Sequence, residues 1–178
     1  MNKILKLMLI AFLAFGMFAC GEKKLTEEDL KEAEATLFNE DQTVNEAVAP
    51  SVAKKYIRFV EQNPDDPAAP SRLYNAMEIY VLLKDADNSI KTCDKLVEMY
   101  PNSKWTPRGL YILGSYVYED QLKDLDKARE IYEQIIRDYP DCEMIESVQA
   151  SLKYLGWSTE DIMSDIMMSQ MEVEEGEW

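Results

Sequence analysis

Three stretches of the chain end in the same way, and that recurrence constrains the fold more than any other feature. Phe59-Val60-Glu61-Gln62-Asn63-Pro64, Leu96-Val97-Glu98-Met99-Tyr100-Pro101 and Ile135-Ile136-Arg137-Asp138-Tyr139-Pro140 each run two apolar residues, three others and a proline. The prolines are 37 and 39 residues apart, and turn-forming residues follow each of them, Asp65-Asp66, Asn102-Ser103 and Asp141-Cys142. Proline cannot continue a helix and these followers favour turns, so each stretch reads as a helix end. A shift of 37 also lays Pro70 on Pro107, Leu73 on Leu110 and Tyr74 on Tyr111. Pro70 and Pro107 suit a helix first turn, where a missing N–H costs nothing. Between them and the closing prolines, Leu73, Ala76, Met77 and Tyr80, then Ile90, Cys93, Leu96 and Val97, recur at helical spacing. Residues 84–88 interrupt that run with the charges of Lys84, Asp85 and Asp87, so each unit is expected to be two helices joined by a short turn. A period of this length implies stacked units that share a continuous core.

These positions resemble the tetratricopeptide repeat, whose period is about 34 residues. Leu73, Ala76, Met77 and Tyr80 take the first-helix positions of one unit, with Ser89, Cys93 and Leu96 in its second helix. Leu110, Leu113, Gly114 and Val117, then Ala128, Tyr132, Ile135 and Pro140, fill the same roles in the next. Departures are Met77 where glycine is usual, Cys93 where an aromatic is usual, and two extra residues placed in the turn over 121–126. The resemblance implies an all-α, tetratricopeptide-like solenoid of antiparallel helix pairs with capping helices. It also implies a concave surface built from first helices, carrying Ser71, Tyr74, Glu78, Val81 and Leu82. Arg108, Tyr111, Ser115, Tyr118 and Glu119 would follow from the second unit. Tyr74, Glu78, Arg108, Tyr111, Ser115 and Tyr118 are the expected partner-binding set, since tyrosine offers broad contact area with a polar tip. The alternative is that the two tyrosine rings pack between adjacent repeats. Trp105 is expected to anchor its loop into the core.

The flanks follow helix-start rules rather than the repeat. Thr26-Glu27-Glu28-Asp29 and Ser158-Thr159-Glu160-Asp161 each place an acid three residues after a capping hydroxyl. The first is expected to open a helix over residues 27–38, the second one over 159–171. Thr43 is a further candidate cap, but Pro50 lies beyond it, so that helix either kinks or begins at Pro50. Residues 144–155 form another, stopped by Gly156. Residues 26–171 thus make one repeat domain, and 172–178 an acidic tail.

The N-terminus is of another kind. Lys3 and Lys6 precede an uncharged apolar run over residues 7–19, thirteen long, and then Cys20. A spanning helix needs about 20 such residues, whereas a basic start, a short apolar middle and a small residue at the end describe an export signal. Met17-Phe18-Ala19-Cys20 is similar to the lipobox of bacterial lipoproteins, which implies cleavage before Cys20, lipidation of its thiol and a tether over 20–25. Together the two resemblances point to the tetratricopeptide lipoproteins of the Gram-negative cell envelope, among them outer-membrane β-barrel assembly and envelope-coordination proteins. They imply an unidentified envelope protein or peptide as partner, at the outer membrane facing the periplasm, with self-association as the alternative.

Charge and composition remove other functions. Losing Lys3 and Lys6 with no acid takes the formal charge from −15 to −17. Such a chain repels nucleic acid and anionic headgroups. There is no histidine, which removes the commonest general base and metal ligand. Ser51-Val52-Ala53-Lys54 lacks the companion triplets of Ser-x-x-Lys enzymes. Asp85, Asp87 and Ser89 have calcium-loop spacing, but Ile90 stands where that loop needs glycine and Leu96 where it needs glutamate. Cys93 reads as a buried thiol and Cys142 as a loop thiol, with a disulfide between them left open. No enzyme, metal or cofactor is expected.

Overall fold

The computed structural model describes residues 24–175. The leader expected over 1–19 and the lipidation site Cys20 lie outside the described residues, as do 176–178. The described chain is the expected all-α solenoid of antiparallel helix pairs. Its elements are α1 (Glu27–Glu34), α2 (Ala49–Gln62), α3 (Ala69–Leu82), α4 (Ala86–Met99) and α5 (Trp105–Ile112). A π-helical segment, Leu113–Gln121, runs on from α5, followed by α6 (Leu125–Asp138), α7 (Ile145–Lys153) and α8 (Thr159–Glu175).

The shared sequence endings become shared backbone. Asn63, Tyr100 and Tyr139 close α2, α4 and α6 with φ/ψ of −139°/58°, −134°/53° and −135°/53°. Each precedes a proline, whose ring disfavours the α region for the residue before it. The turns inside the two units also match. Lys84 and Lys123 adopt φ of 56° and 55°, and Asp85 and Asp124 then cap α4 and α6. Their carboxylates accept from Asn88 N at 3.1 Å and Lys127 N at 3.0 Å, satisfying N–H groups with no helical partner.

The two extra residues of the second unit lie elsewhere than expected. The turn over 122–124 is as long as the turn over 83–85, so the 121–126 turn holds no insertion. They sit between Val117 and Leu122, taken up by looser π winding in which Leu122 N reaches back to Val117 O at 2.9 Å. That segment also runs close to α6. A Cβ on Gly114 would stand 2.8 Å from Tyr132 Cε1, so only glycine fits between this backbone and the buried ring.

Apolar residues recurring at helical spacing form two cores. The first gathers Leu30 and Ala33 of α1, Val52, Tyr56, Phe59 and Val60 of α2, and Leu73, Ala76 and Tyr80 of α3. The second gathers Met77, Cys93, Leu110, Val117, Ala128, Tyr132, Ile135 and Val148. Tyr74 packs against both, and so does its own helix α3. Each unit therefore completes its core only with the next, which is why such units stack.

Three flank expectations are corrected. α1 stops at Glu34 rather than Phe38, because residues 37–45 form a tight reversal. Phe38 bridges Val44 there, and Gln42 has φ of 67°. Thr43 caps no helix, since its N–H and hydroxyl both donate to Asp41 Oδ1, at 3.0 and 2.6 Å. Of the two readings at Pro50, the helix starts there, with the proline in the first turn of α2. α8 continues to Glu175, so residues 172–175 of the expected acidic tail are helical. Among the described residues no helix is long and apolar enough to cross a membrane.

Candidate partner-binding groove

The reversal after α1, the helix α2 and the two first helices of the repeats leave an open groove of about 560 Å³ between them. Leu37 and Phe38 from the reversal after α1 form one wall, with Tyr56 of α2 beside them. The floor is α3, through Asn75, Glu78, Ile79, Val81 and Leu82, and the far wall is Ile112 and Tyr116. Three large apolar side chains there stay half exposed, Phe38 at 50%, Leu82 at 59% and Tyr116 at 57%. Apolar surface gathered in one concavity marks an interaction site more than scattered single residues do.

Of the expected partner-binding residues, Glu78 lines this groove, as do Val81 and Leu82. Its carboxylate Oε1 accepts the Tyr74 hydroxyl at 2.9 Å. Burial, followed by that hydrogen bond, pushes the Tyr74 phenol above its ordinary range. The Tyr74 ring lies 4.9 Å from Trp105, tilted 41°. Trp105 itself is a partly buried residue at the start of α5, packed on the first core. Tyr111 sits 6.1 Å from the Tyr132 ring, with its hydroxyl 3.2 Å from Ser151 Oγ. Tyr74 thus packs against the start of the following helix pair, whereas Tyr111 packs against α6 of its own pair and reaches α7. Ser115 donates to the Tyr111 carbonyl at 2.8 Å within its own helix. Tyr118 is half-buried against the second core. Arg108 pairs with Glu143 and lies 5.6 Å over Trp105. It borders a separate cleft of about 400 Å³ between the two closing turns.

The groove residues missed in the sequence have an internal logic. Asn75 and Ile112 are equivalent under the 37-residue shift, and so are Ile79 and Tyr116. The face is therefore one residue round from Tyr74/Tyr111 and Glu78/Ser115, a rotation of about 100° on a helix of 3.6 residues per turn. The equivalence was legible in the repeat. Which of two adjacent faces stays open was not, because it depends on where the neighbouring helices lie.

Nothing in the groove is arranged for bond chemistry. Its titratable carboxylate is Glu78, already hydrogen-bonded, and no cluster of metal-ligating side chains occurs among the described residues. Cys93 and Cys142 are both free thiols. Burial, with Asp94 adding to it, pushes the Cys93 thiol up to about 12, so it stays protonated and unreactive.

Residues 73–103 and 109–141 both match the tetratricopeptide repeat family. These two segments are tetratricopeptide repeats. No curated protein and no solved structure gives a significant match to the chain. Tetratricopeptide repeats are scaffolds for protein–protein interaction, and proteins built from them are typically non-enzymatic. Here the first tetratricopeptide unit supplies the groove floor and the second supplies Ile112 and Tyr116. Leu37 and Phe38 after α1 and Tyr56 of α2, outside the matched segments, close the groove at its other side.

Proposed function

We propose that this chain is a lipid-anchored scaffold of the bacterial cell envelope that holds a segment of another protein in its tetratricopeptide groove. The observation that carries the reading is the cluster of Phe38, Leu82 and Tyr116, large apolar side chains left open in one concavity. The basic start at Lys3 and Lys6, the apolar run and Ala19-Cys20 support the anchor. Acyl chains added at Cys20 would hold the protein at the membrane. The outer membrane, on its periplasmic side, is the proposed location, since Gly21 is not the aspartate that retains some lipoproteins at the inner membrane.

The test replaces Leu82 and Tyr116 together by serine. Both side chains are more than half exposed, so thermal unfolding should shift by no more than a few degrees. Placing a photo-crosslinking residue at Ile112 in both backgrounds should trap one discrete partner in the parent. Yield in the double variant is expected to fall at least tenfold, about 1.4 kcal/mol of binding. Equal yields from both backgrounds would remove the groove from the function. Self-association is the second reading, favoured by the exposed methionines of α8. Light scattering that gives a monomer mass at every concentration removes it.

A further inference from the structure

Five apolar side chains of α8 stay exposed. Met163, Ile166, Met167, Met168 and Met171 are between 43% and 62% exposed. Met163, Ile166, Met167 and Met171 fall at i, i+3, i+4 and i+8, which aligns them along one face. The opposite side makes the attachment. Asp165 Oδ2 accepts from Lys153 Nζ at 2.6 Å and from the Tyr154 hydroxyl at 2.8 Å, and Ile162 is half-buried beside it. An apolar stripe is thus held outward by a polar clamp on its back. Burial against the described residues does not explain it, and a continuous exposed apolar stripe marks a contact with another molecule.

Charge decides among the occupants. Over Thr159–Glu175 the acids are Glu160, Asp161, Asp165, Glu172, Glu174 and Glu175, and there is no lysine or arginine. A second copy would bring an equally acidic helix against this one. Membrane-surface helices flank their apolar face with lysine and arginine, which attract anionic lipid, and this helix has neither. The complement of an apolar face on a helix that carries acids and no base is an apolar face on a helix that carries bases. Methionine suits such a role, since its unbranched, polarizable side chain adapts to whatever packs on it. We propose that α8 is a docking helix for a basic amphipathic helix of a partner protein, independent of the groove. The recognition is helix against helix, with methionines supplying contact area and the acidic charge of the helix supplying encounter rate.

The experiment uses the full chain and a fluorescein-labelled 18-residue peptide of leucine and lysine, with the leucines on one helical face. One comparator has the same composition with the leucines dispersed, and another has every lysine replaced by glutamate. The facial leucine–lysine peptide should bind at least tenfold more tightly than either comparator, and more weakly as salt rises. The triple variant M163S/M167S/M171S should lose at least tenfold of that affinity while keeping its circular dichroism. A second variant, E172K/E174K, places lysine where the helix dipole favours it, so helix loss does not confound it. It should bind severalfold more weakly. The groove variant L82S/Y116S should bind the peptide unchanged, which separates this proposal from the groove reading. Parent-like binding by the methionine variant, or equal binding of the dispersed peptide, overturns the proposal. So does a dimer, or attachment to phosphatidylglycerol vesicles, that disappears with the methionine substitutions, because the face would then belong to a second copy or to lipid.

Discussion

Tyr132 carries the tension between burial and polarity in a repeat core. Its side chain is fully buried, yet its hydroxyl donates to Glu119 Oε2 at 2.8 Å, so no polar atom there lacks a partner. Tyr56 and Tyr74 repeat the arrangement with Glu34 and Glu78. In all three, burial and then the hydrogen-bonded carboxylate raise the phenol above its ordinary range. Cys93 moves the same way, from 9.0 up to about 12. The sign follows from where the protons sit. Between those values the unfolded chain gives up its thiol proton and the folded chain keeps it. Stability from these groups is therefore complete below the unfolded values and declines as pH rises through them. Melting temperature is expected to fall steadily from about pH 9 upward, and Cys93→Ala to make that slope shallower. At neutral pH an alkylating reagent should modify Cys142 and leave Cys93 untouched until the chain unfolds. Equal labelling of the two cysteines in the native protein would contradict the burial argument.

Among the elements, α1 is short and marginal alone, since isolated helices below about 12 residues are unstable in water. Its capping box supplies the start. The Thr26 hydroxyl accepts from Asp29 N at 3.3 Å, and Asp29 Oδ2 accepts from Thr26 N at 2.8 Å. Its place against the solenoid comes from Arg72 of α3, which pairs with both Glu27 and Glu34 and lies 5.5 Å over the Tyr56 ring. The arginine side chain is only 17% exposed, though its partners are 41% and 36% exposed. That puts the network between exposed pairs and fully buried ones. Arg72→Ala should cost about 1–3 kcal/mol on that scale. The loss should be local, with amide exchange speeding up in residues 27–37 while α3 to α6 keep their protection. A uniform rise across the repeats would show that α1 is not a separate cap. The π-helical segment is the element with least warning in the sequence. The excess of two residues was countable, but a turn would have absorbed it equally well by count. What placed it in the helix was the identity of the two Lys-Asp turns, together with the Gln121 side chain, whose Nε2 donates to the Val81 carbonyl at 3.2 Å.

For the whole molecule, the proposed anchor sets the working geometry. Residues 21–25 separate Cys20 from the cap at Thr26, and five residues reach at most about 17 Å when extended. A groove walled by the segment just after α1 would then lie close to the bilayer, which favours a partner at the membrane surface. Cys20→Ala is expected to move the protein from the membrane to the soluble fraction of cells without changing its melting temperature. Retention in the membrane fraction at the parent level would rule out lipid attachment at that thiol. The high negative charge favours basic partners, as do the acids of α8.

The amino-acid sequence alone determined that the chain is helical, that it repeats, and where each repeat closes. Those properties rest on local rules: proline restricting the residue before it, aspartate capping the next helix, apolar residues returning every three or four positions. They hold without knowing the neighbours. Only the tertiary structure decided which face of α3 and α5 stays open, because adjacent faces one residue apart carry similar side chains. Tyr74 packs against Trp105 and Tyr111 against Tyr132 and Ser151, while Ile79 and Tyr116 are left to line the groove. The same holds for α1, whose end at Glu34 depends on the reversal through Phe38 and Val44 that packs against the groove. Local rules specify where a helix begins and ends in itself; which surface remains for a partner depends on how its neighbours cover it.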